Sequence, residues 1–403
     1  MALKAGFGRL ATMGEAFDIL YSHLPDLGHE EVPISECLHR VLATDVVSKI
    51  DVPHFAKAAM DGYAVIASDT FGASDTQSVV LWVSGSVMPG QVAKDGLTEG
   101  ECIEIGTGAP LPAGSDAVVM VEYTEPAGDE VHIRKPVAPS ENVVGVGSDV
   151  SAGSTVLTAG TLLEPRHLGV LAAVGLSSAK VVVRPRVALF STGPEIVEPG
   201  GDLLSGQIFD INSYTLRAAL NDDGCDVVDL GIVPDQPDVL EDAIRKGLDD
   251  ADLVLLSGGS SLGGGDLVVE TFEKIGKVLV HGVAVKPGKP LVLGEAAGGL
   301  MIGLPGYPMS ALSDYYIFVQ AFLHRAMGVS SGPRSASATL ARKHPSTVGR
   351  YEFLPVSLED QMAIPIVKGS SAISALAQAD GFIEIDENTE VVEKGEAVVV
   401  RLF

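Results

Sequence analysis

Ten consecutive residues, Ser257-Gly-Gly-Ser-Ser-Leu-Gly-Gly-Gly-Asp266, hold five glycines, three serines and one carboxylate. These are the residue types of an anion cradle. Glycines let a phosphate approach the backbone, and serine hydroxyls donate to its oxygens. The run Leu253 to Leu256 before it is apolar and of strand length. The pattern Leu267, Val268, Phe272, Ile275 after it is helical. The loop thus opens onto a helix N-terminus, where unpaired amides and the macrodipole favour an anion. It is neither Walker A, since Gly264 stands where that motif needs Lys, nor the Rossmann G-x-G-x-x-G. Taken alone, it reads equally as a tight turn between strand and helix.

Other segments carry chemistry of their own. Lys286 and Lys289 sit on a Lys-Pro-Gly-Lys-Pro frame, where proline fixes φ and glycine allows the turn. Such pre-placed ammonium groups suit a phosphate or an oxyanion. Asp61 precedes Gly62, a pair that first of all makes a turn and secondarily offers a metal ligand or acid–base group. Thr107 lies between two glycines in a Gly/Pro-rich loop, its hydroxyl open to a ligand or to local capping. Arg350 and the Lys368-Gly-Ser-Ser371 stretch read singly as solvated residues.

These groups need elements to hold them. Met13 to Leu24 has helical spacing, and residues 51–139 form a β-rich stretch punctuated by Gly and Pro. A helix is expected from Pro165 to Gly175. From Arg186 the rhythm becomes strand–loop–helix: strands at 186–191, 225–230, 253–256, 278–285, 291–293 and 300–304, with helices at 212–222, 237–248, after Asp266, and from Pro308 to Met327. This alternation predicts a doubly wound parallel sheet, with ligands beyond the carboxyl ends of the strands. The loops Thr192–Glu195, Ser257–Asp266 and Pro305-Gly-Tyr-Pro308 would then share one crevice. Residues 331–403 read as a β domain ending in a strand at 396–403.

Composition bounds the rest. The 403 residues suffice for several domains, and 46% hydrophobic content makes the chain globular. A formal net charge of −26 argues against general binding to nucleic acid or anionic membranes. Local lysines still outweigh it, because distant charges are screened within about 8 Å. One ammonium about 4 Å from a phosphate gains about 4 kcal/mol before desolvation. Cys37, Cys102 and Cys225 are scattered and odd in number, which fits a reducing cytoplasm rather than disulfides or a zinc site. The N-terminus lacks the apolar core of a signal peptide, and no run is long enough to span a membrane.

Several stretches, in one order, carry a resemblance. They are Ala59-Met-Asp-Gly-Tyr-Ala64, Gly106-Thr-Gly-Ala-Pro110, Gly206-Gln-Ile-Phe-Asp210 with Asn212-Ser213, and Ser257-Gly-Gly…Gly263…Asp266. Lys286-Pro-Gly-Lys-Pro290, Gly303-Leu-Pro-Gly306, Gly349-Arg350 with Glu352-Phe353, and Gly369-Ser370 continue it. Together, over about residues 10 to 400, the chain resembles the molybdopterin molybdenumtransferase family, which includes MoeA and the gephyrin E domain.

The resemblance implies an elongated, multidomain α/β plus β chain that forms a homodimer. Subdomain I would take residues 1–50 and 140–180 and serve dimerisation, and a β-rich insertion, subdomain II, residues 51–139. The doubly wound, molybdopterin-binding subdomain III would take 181–330, and a barrel-like β subdomain IV 331–403. The implied reaction is insertion of molybdate into adenylylated molybdopterin, giving molybdenum cofactor and AMP, with Mg2+ or another divalent cation. Pterin and phosphate would rest on Ser257, Gly258, Gly259, Ser260, Ser261, Gly263, Pro305, Gly306 and Pro308. Lys286, Lys289, Arg350, Ser370 and Ser371 would gather the oxyanion, and Glu195 and Asp266 the metal. Asp61, Thr107 and Asp149 would join Glu195 and Asp266 in catalysis, arriving from the partner subunit. The adenylyltransferase of the same pathway is a further expected partner.

The chain departs from the family pattern at several positions. Pro194 replaces an Asp, Gly264 an acid, Tyr307 an Asn, Lys57-Ala58 an Asn-Ser pair, and Ser148 an acid. These substitutions leave open a tungstate-inserting member, or a non-catalytic dimeric scaffold that binds pterin. The presence of Asp61, Asp266, Lys286, Lys289 and Arg350, which a scaffold does not need, favours the enzyme.

Overall fold

The computed structural model describes residues 9–258 and 266–403. The chain divides into two compact units. One is Asp45–Thr158 with Pro165–Ser178; the other joins Met1–Thr44, Ala159–Glu164 and Ala179–Phe403.

The first unit is built on a six-stranded sheet. Its strand order is Ala117–Met120, Gly62–Val65, Glu101–Ile105, Val79–Val87, Glu130–Ile133, Thr124–Ala127. Pairing is antiparallel except between Val79–Val87 and Glu101–Ile105. Alternate residues feed two cores. Tyr63, Val65, Val119 and Val131 pack on one face, and Ala64, Ile103, Ile105 and Val118 on the other. The strand Gly62–Val65 is therefore buried throughout, which fixes the height of Asp61 just before it. The helix expected from Pro165 is present as Pro165–Ala173.

The second unit contains the doubly wound domain. Strands stand in the order Asp226–Val233, Arg186–Thr192, Leu253–Gly258, Gly299–Leu304, Val292–Ala296, Lys277–His281. The first four are parallel, and Val292–Ala296 runs against its two neighbours. Both faces are apolar, as expected when helices cover both. Val187, Leu189, Leu253, Leu255 and Ile302 pack with Leu216, Leu220 and Phe318. Ala188, Phe190, Val254, Leu256 and Met301 pack with Leu240, Ile244, Val268 and Phe272 on the opposite face. The helices are Asn212–Asp222, Pro237–Asp250 and Leu267–Ile275, the first as expected and the second two residues longer. Met13–Ser22 begins with a reciprocal cap: Thr12 accepts from the Glu15 amide, and the Glu15 carboxylate accepts from the Thr12 amide.

The helix expected to run unbroken from Pro308 to Met327 is interrupted. Pro308–Asp314 and Gln320–Ala326 are α-helical, but Tyr315–Val319 between them is a π turn. The extra residue in that turn changes which side chains share a face. Tyr315 Oη, Gln320 Nε2 and His324 Nε2 all meet the Asp223 carboxylate, at 2.6, 2.9 and 2.9 Å. A regular helix aligns positions three and four apart, so the step from Tyr315 to Gln320 needs the wider turn.

The C-terminal domain is a closed barrel. Tyr351–Glu359, Met362–Pro365, Ser335–Leu340, Ala397–Leu402 and Gly381–Ile385 pair in that order, and the last returns to the first. Leu340, Val356, Ala363 and Val400 are among the residues filling it. A two-residue strand, Val285–Lys286, pairs in parallel with Tyr351 and Glu352 at the barrel's edge. That pairing carries the lysine frame to the segment that follows Arg350.

Candidate functional site

Three of the expected residues belong to the first unit and hang on one segment. The strand Lys57–Ala58 pairs with Val143–Val144, and its other side receives the Gly106–Pro110 loop. Ala58 accepts from Gly108 N at 2.8 Å, and its own amide reaches Ala109 O at 3.0 Å. This brings Thr107 to Asp61: its amide and hydroxyl donate to Asp61 Oδ1 at 2.7 and 2.8 Å. The amide first, then the hydroxyl, hold the Asp61 carboxyl below its usual pKa, so an exposed negative charge is maintained here. Asp149 is exposed, and its amide bonds Val52 O at 3.0 Å on the same segment.

In the second unit, the loops after Thr192, Gly258 and Leu304 leave the carboxyl ends of three adjacent parallel strands. Ser257 is buried at the end of Leu253–Gly258, with its hydroxyl 3.3 Å from that of Ser191 on the next strand. Gly258 is required there: a Cβ would fall 2.0 Å from Thr192 O, and its φ is +102°. Gly259, Ser260, Ser261, Gly263 and Gly264 lie outside the described residues. Asp266 caps the following helix, accepting from Val269 N at 3.3 Å, and its other oxygen is 3.4 Å from His281 Nε2. Burial raises the Asp266 pKa, and the Val269 amide and His281 only partly offset it. Glu195 is exposed after the strand Arg186–Thr192, and its carbonyl accepts from Ile208 N at 2.9 Å. Pro305 is buried, and Pro308 opens its helix at the first turn.

The oxyanion candidates lie on three parts of the chain, each anchored by its own backbone bonds. The Lys286–Lys289 turn is tied to the barrel by the pairing of Lys286 with Glu352, and by Tyr351 N donating to Ala284 O at 2.9 Å. Arg350 immediately precedes that strand. Met309 N, in the first turn of its helix, donates to Ser370 O at 3.1 Å, which sets Ser370 beside the start of Pro308–Asp314.

Two acids at this place were not assigned a role from the sequence. Glu352 is almost wholly buried and engages Lys286 Nζ at 3.1 Å, His344 Nε2 at 3.0 Å and Ser346 Oγ at 2.8 Å. Burial would raise its pKa, but the three donors outweigh that and lower it. Lys286 is therefore already paired with one charge, leaving the turn less positive than two lysines imply. Asp314 is fully buried, and among the described residues neither of its carboxylate oxygens finds a hydrogen-bond partner. A Cβ on Gly288 would lie 1.8 Å from Asp314 Oδ1, so the lysine turn rests directly on this carboxyl group. Burial pushes its pKa well above the ordinary value. The signal was a lone charged residue in the run from Met309 to Val319, whose other members are apolar residues, serines and tyrosines.

With this geometry in view, comparison with known proteins decides the family. Models of the MoeA N-terminal region (domain I and II), of a "Probable molybdopterin binding domain" and of the MoeA C-terminal region (domain IV) match residues 11–175, 188–325 and 337–403. The chain belongs to the MoeA family. A molybdopterin molybdenumtransferase of Haemophilus influenzae is 34% identical, covering 98% of this chain and 99% of the relative. Molybdopterin molybdenumtransferase 2 of Mycobacterium tuberculosis is 36% identical over 90% of this chain and 92% of its own length. Two solved MoeA structures from Pyrococcus horikoshii match at 41% and 32% identity, with TM-scores of 0.78 and 0.84. Each covers 98% of this chain, and the matches take in 99% and 100% of those structures.

Proposed function

We propose that this chain inserts molybdate into adenylylated molybdopterin in molybdenum cofactor biosynthesis, releasing AMP. The observation that carries the proposal is the pairing of Val285–Lys286 with Tyr351–Glu352. It draws the lysine turn and Arg350 together, as a tetrahedral dianion in a strongly acidic protein requires. One ammonium cannot neutralise two charges, and a guanidinium adds fixed, bidentate geometry. Ser370 and Ser371 supply donors for further oxygens, and Ser257 and Gly258, with Pro305, Gly306 and Pro308, line the pterin and phosphate part.

Mg2+ fits the carboxylates present. Magnesium takes hard oxygen donors, commonly one or two carboxylates plus substrate phosphates, rather than an all-protein cage. Asp266 and Glu195 would hold the ion, which would neutralise charge on the phosphate of the leaving AMP. Asp61 stays ionised at neutral pH and acts as the acid–base group, with Thr107 orienting its carboxylate.

We read the chain as the four subdomains 1–50 with 140–180, 51–139, 181–330 and 331–403. We further read the active form as a homodimer, in which Asp61, Thr107 and Asp149 complete the partner's cleft and adenylylated pterin is received from the adenylyltransferase. Among the described residues no helix is long and apolar enough to cross a membrane. The deciding experiment is incubation with adenylylated molybdopterin, magnesium, and molybdate and tungstate together. AMP release with molybdenum in the pterin product is expected, and no AMP release above the protein-free rate would refute the activity.

A further inference from the structure

At the carboxyl ends of three neighbouring strands lies a buried polar group that no step above uses. Asp210 and Asn212 are 4% and 5% exposed. Asp210 Oδ1 is fully employed, accepting from Ser191 Oγ at 3.0 Å and from Ser213 N at 3.1 Å. Asn212 donates its amide N–H to Gly306 O at 2.9 Å, which fixes which side of the amide is oxygen. Among the described residues, Asp210 Oδ2 and Asn212 Oδ1 are buried without partners. Leaving such atoms unpaired forfeits their hydration with nothing in return, and the loss is greater for a charged group. Native structures rarely carry that cost unless something else binds there.

Both orphan atoms are acceptors, so the missing ligand is a donor. Their place narrows it further. Ser191 and Ser257 end adjacent parallel strands, and Gly306 follows the next strand in the sheet. Gly306 is exposed and Tyr307 is 61% exposed, so the loop that carries the Asn212 partner faces solvent.

We propose that Asp210 and Asn212 form the subsite that reads the donor edge of the pterin ring. The assignment rests on the molybdopterin reading above. The fused pyrimidine of a pterin presents a ring N–H beside an exocyclic amino group. Asp210 Oδ2 accepts from this edge, and Asn212 Oδ1 takes a remaining amino proton. A divalent cation is the other chemistry that two oxygens suggest. It fits less well, because magnesium gives up its waters reluctantly and this pair is nine-tenths buried. A planar heteroaromatic ring sheds water readily and gains from the burial.

The test is Asp210→Asn. The bonds from Ser191 and Ser213 demand an oxygen at the Oδ1 position, so the new NH2 must take the place of Oδ2. A donor then faces a donor. Adenylylated molybdopterin, AMP alone, Mg2+ alone and molybdate are each titrated against the parent and the variant. Expected is a loss of tenfold or more in affinity for adenylylated molybdopterin, with AMP, Mg2+ and molybdate binding unchanged. Pterin-6-carboxylate should compete better than its 2-oxo (lumazine) counterpart against the parent, and lose that advantage against the variant. Asn212→Ala, which keeps Asp210 and its cap, should also weaken the adenylylated pterin if Asp210→Asn fails to fold. Parent-like affinity in the variants, or a selective loss of Mg2+ binding, overturns the subsite. A parent that binds no adenylylated molybdopterin overturns the functional reading itself.

Discussion

Thr107 donates twice to a single atom: its amide and its hydroxyl both end on Asp61 Oδ1, at 2.7 and 2.8 Å. One carboxylate oxygen is thus spent on holding a loop from a distant part of the sequence. The turn reading and the chemical reading of Asp61 make different demands on this arrangement. A turn needs only an acceptor, whereas acid–base chemistry needs the ionisable group.

Asp61→Asn separates them. Asn retains an oxygen for both Thr107 bonds, so the thermal transition should stay where it is. Turnover should fall by roughly 10²–10⁴-fold, the contribution of a positioned acid–base group. AMP release at the parent rate would leave Asp61 as a turn residue only.

Lys289 and Arg350 should both touch the oxyanion. Replacing either by Ala should weaken molybdate binding by about 2–5 kcal/mol, the range for a buried charge interaction left half-made. Affinity for adenylylated pterin should change much less. Unchanged molybdate binding in both variants, or an equal fall for the pterin, would show that this pair is misassigned.

Asp314 offers a pH test. Its folded-state pKa is raised by burial, so between the unfolded value near ~3.9 and the folded value only the unfolded chain releases the proton. Its contribution to stability is therefore complete below the unfolded pKa and is lost as pH rises towards the folded one. The slope is at most about 1.4 kcal/mol per pH unit. Asp314→Asn removes this dependence, and its stability relative to the parent should climb with pH. Urea unfolding from about pH 5 to about pH 8 measures it, and a constant difference would mean that Asp314 is not held neutral.

The active species should be a dimer. Sedimentation at micromolar concentration should give twice the mass of the 41.7 kDa chain. A monomer with full activity would remove the partner subunit from the site.

Much of the fold was legible because its signals are local. Alternating apolar strands and amphipathic helices marked the doubly wound domain, and the helix Asn212–Asp222 matched its expected bounds. The π turn was not legible, since it goes with a convergence of Tyr315, Gln320 and His324 on Asp223, far away in sequence. The buried acids followed the same division. Glu352 stood in a recognised stretch, but its bond to Lys286 depends on a two-residue strand pairing that no periodicity records. Asp210 and Asn212 likewise stood in a matched stretch, and only the buried, partnerless oxygens separate them from ordinary capping residues.

The short strand Val285–Lys286 also sets an order of assembly. Its partner, Tyr351–Glu352, is synthesised later and is held in place by a barrel whose last strand, Ala397–Leu402, nearly ends the chain. The sheet of the doubly wound domain can close before any of that exists, leaving the lysine turn with an unpaired edge. The emerging polypeptide therefore builds the doubly wound sheet first and the pairing of Val285–Lys286 with Tyr351–Glu352 last. A chain cut short before the barrel closes cannot bring the lysine turn and Arg350 together.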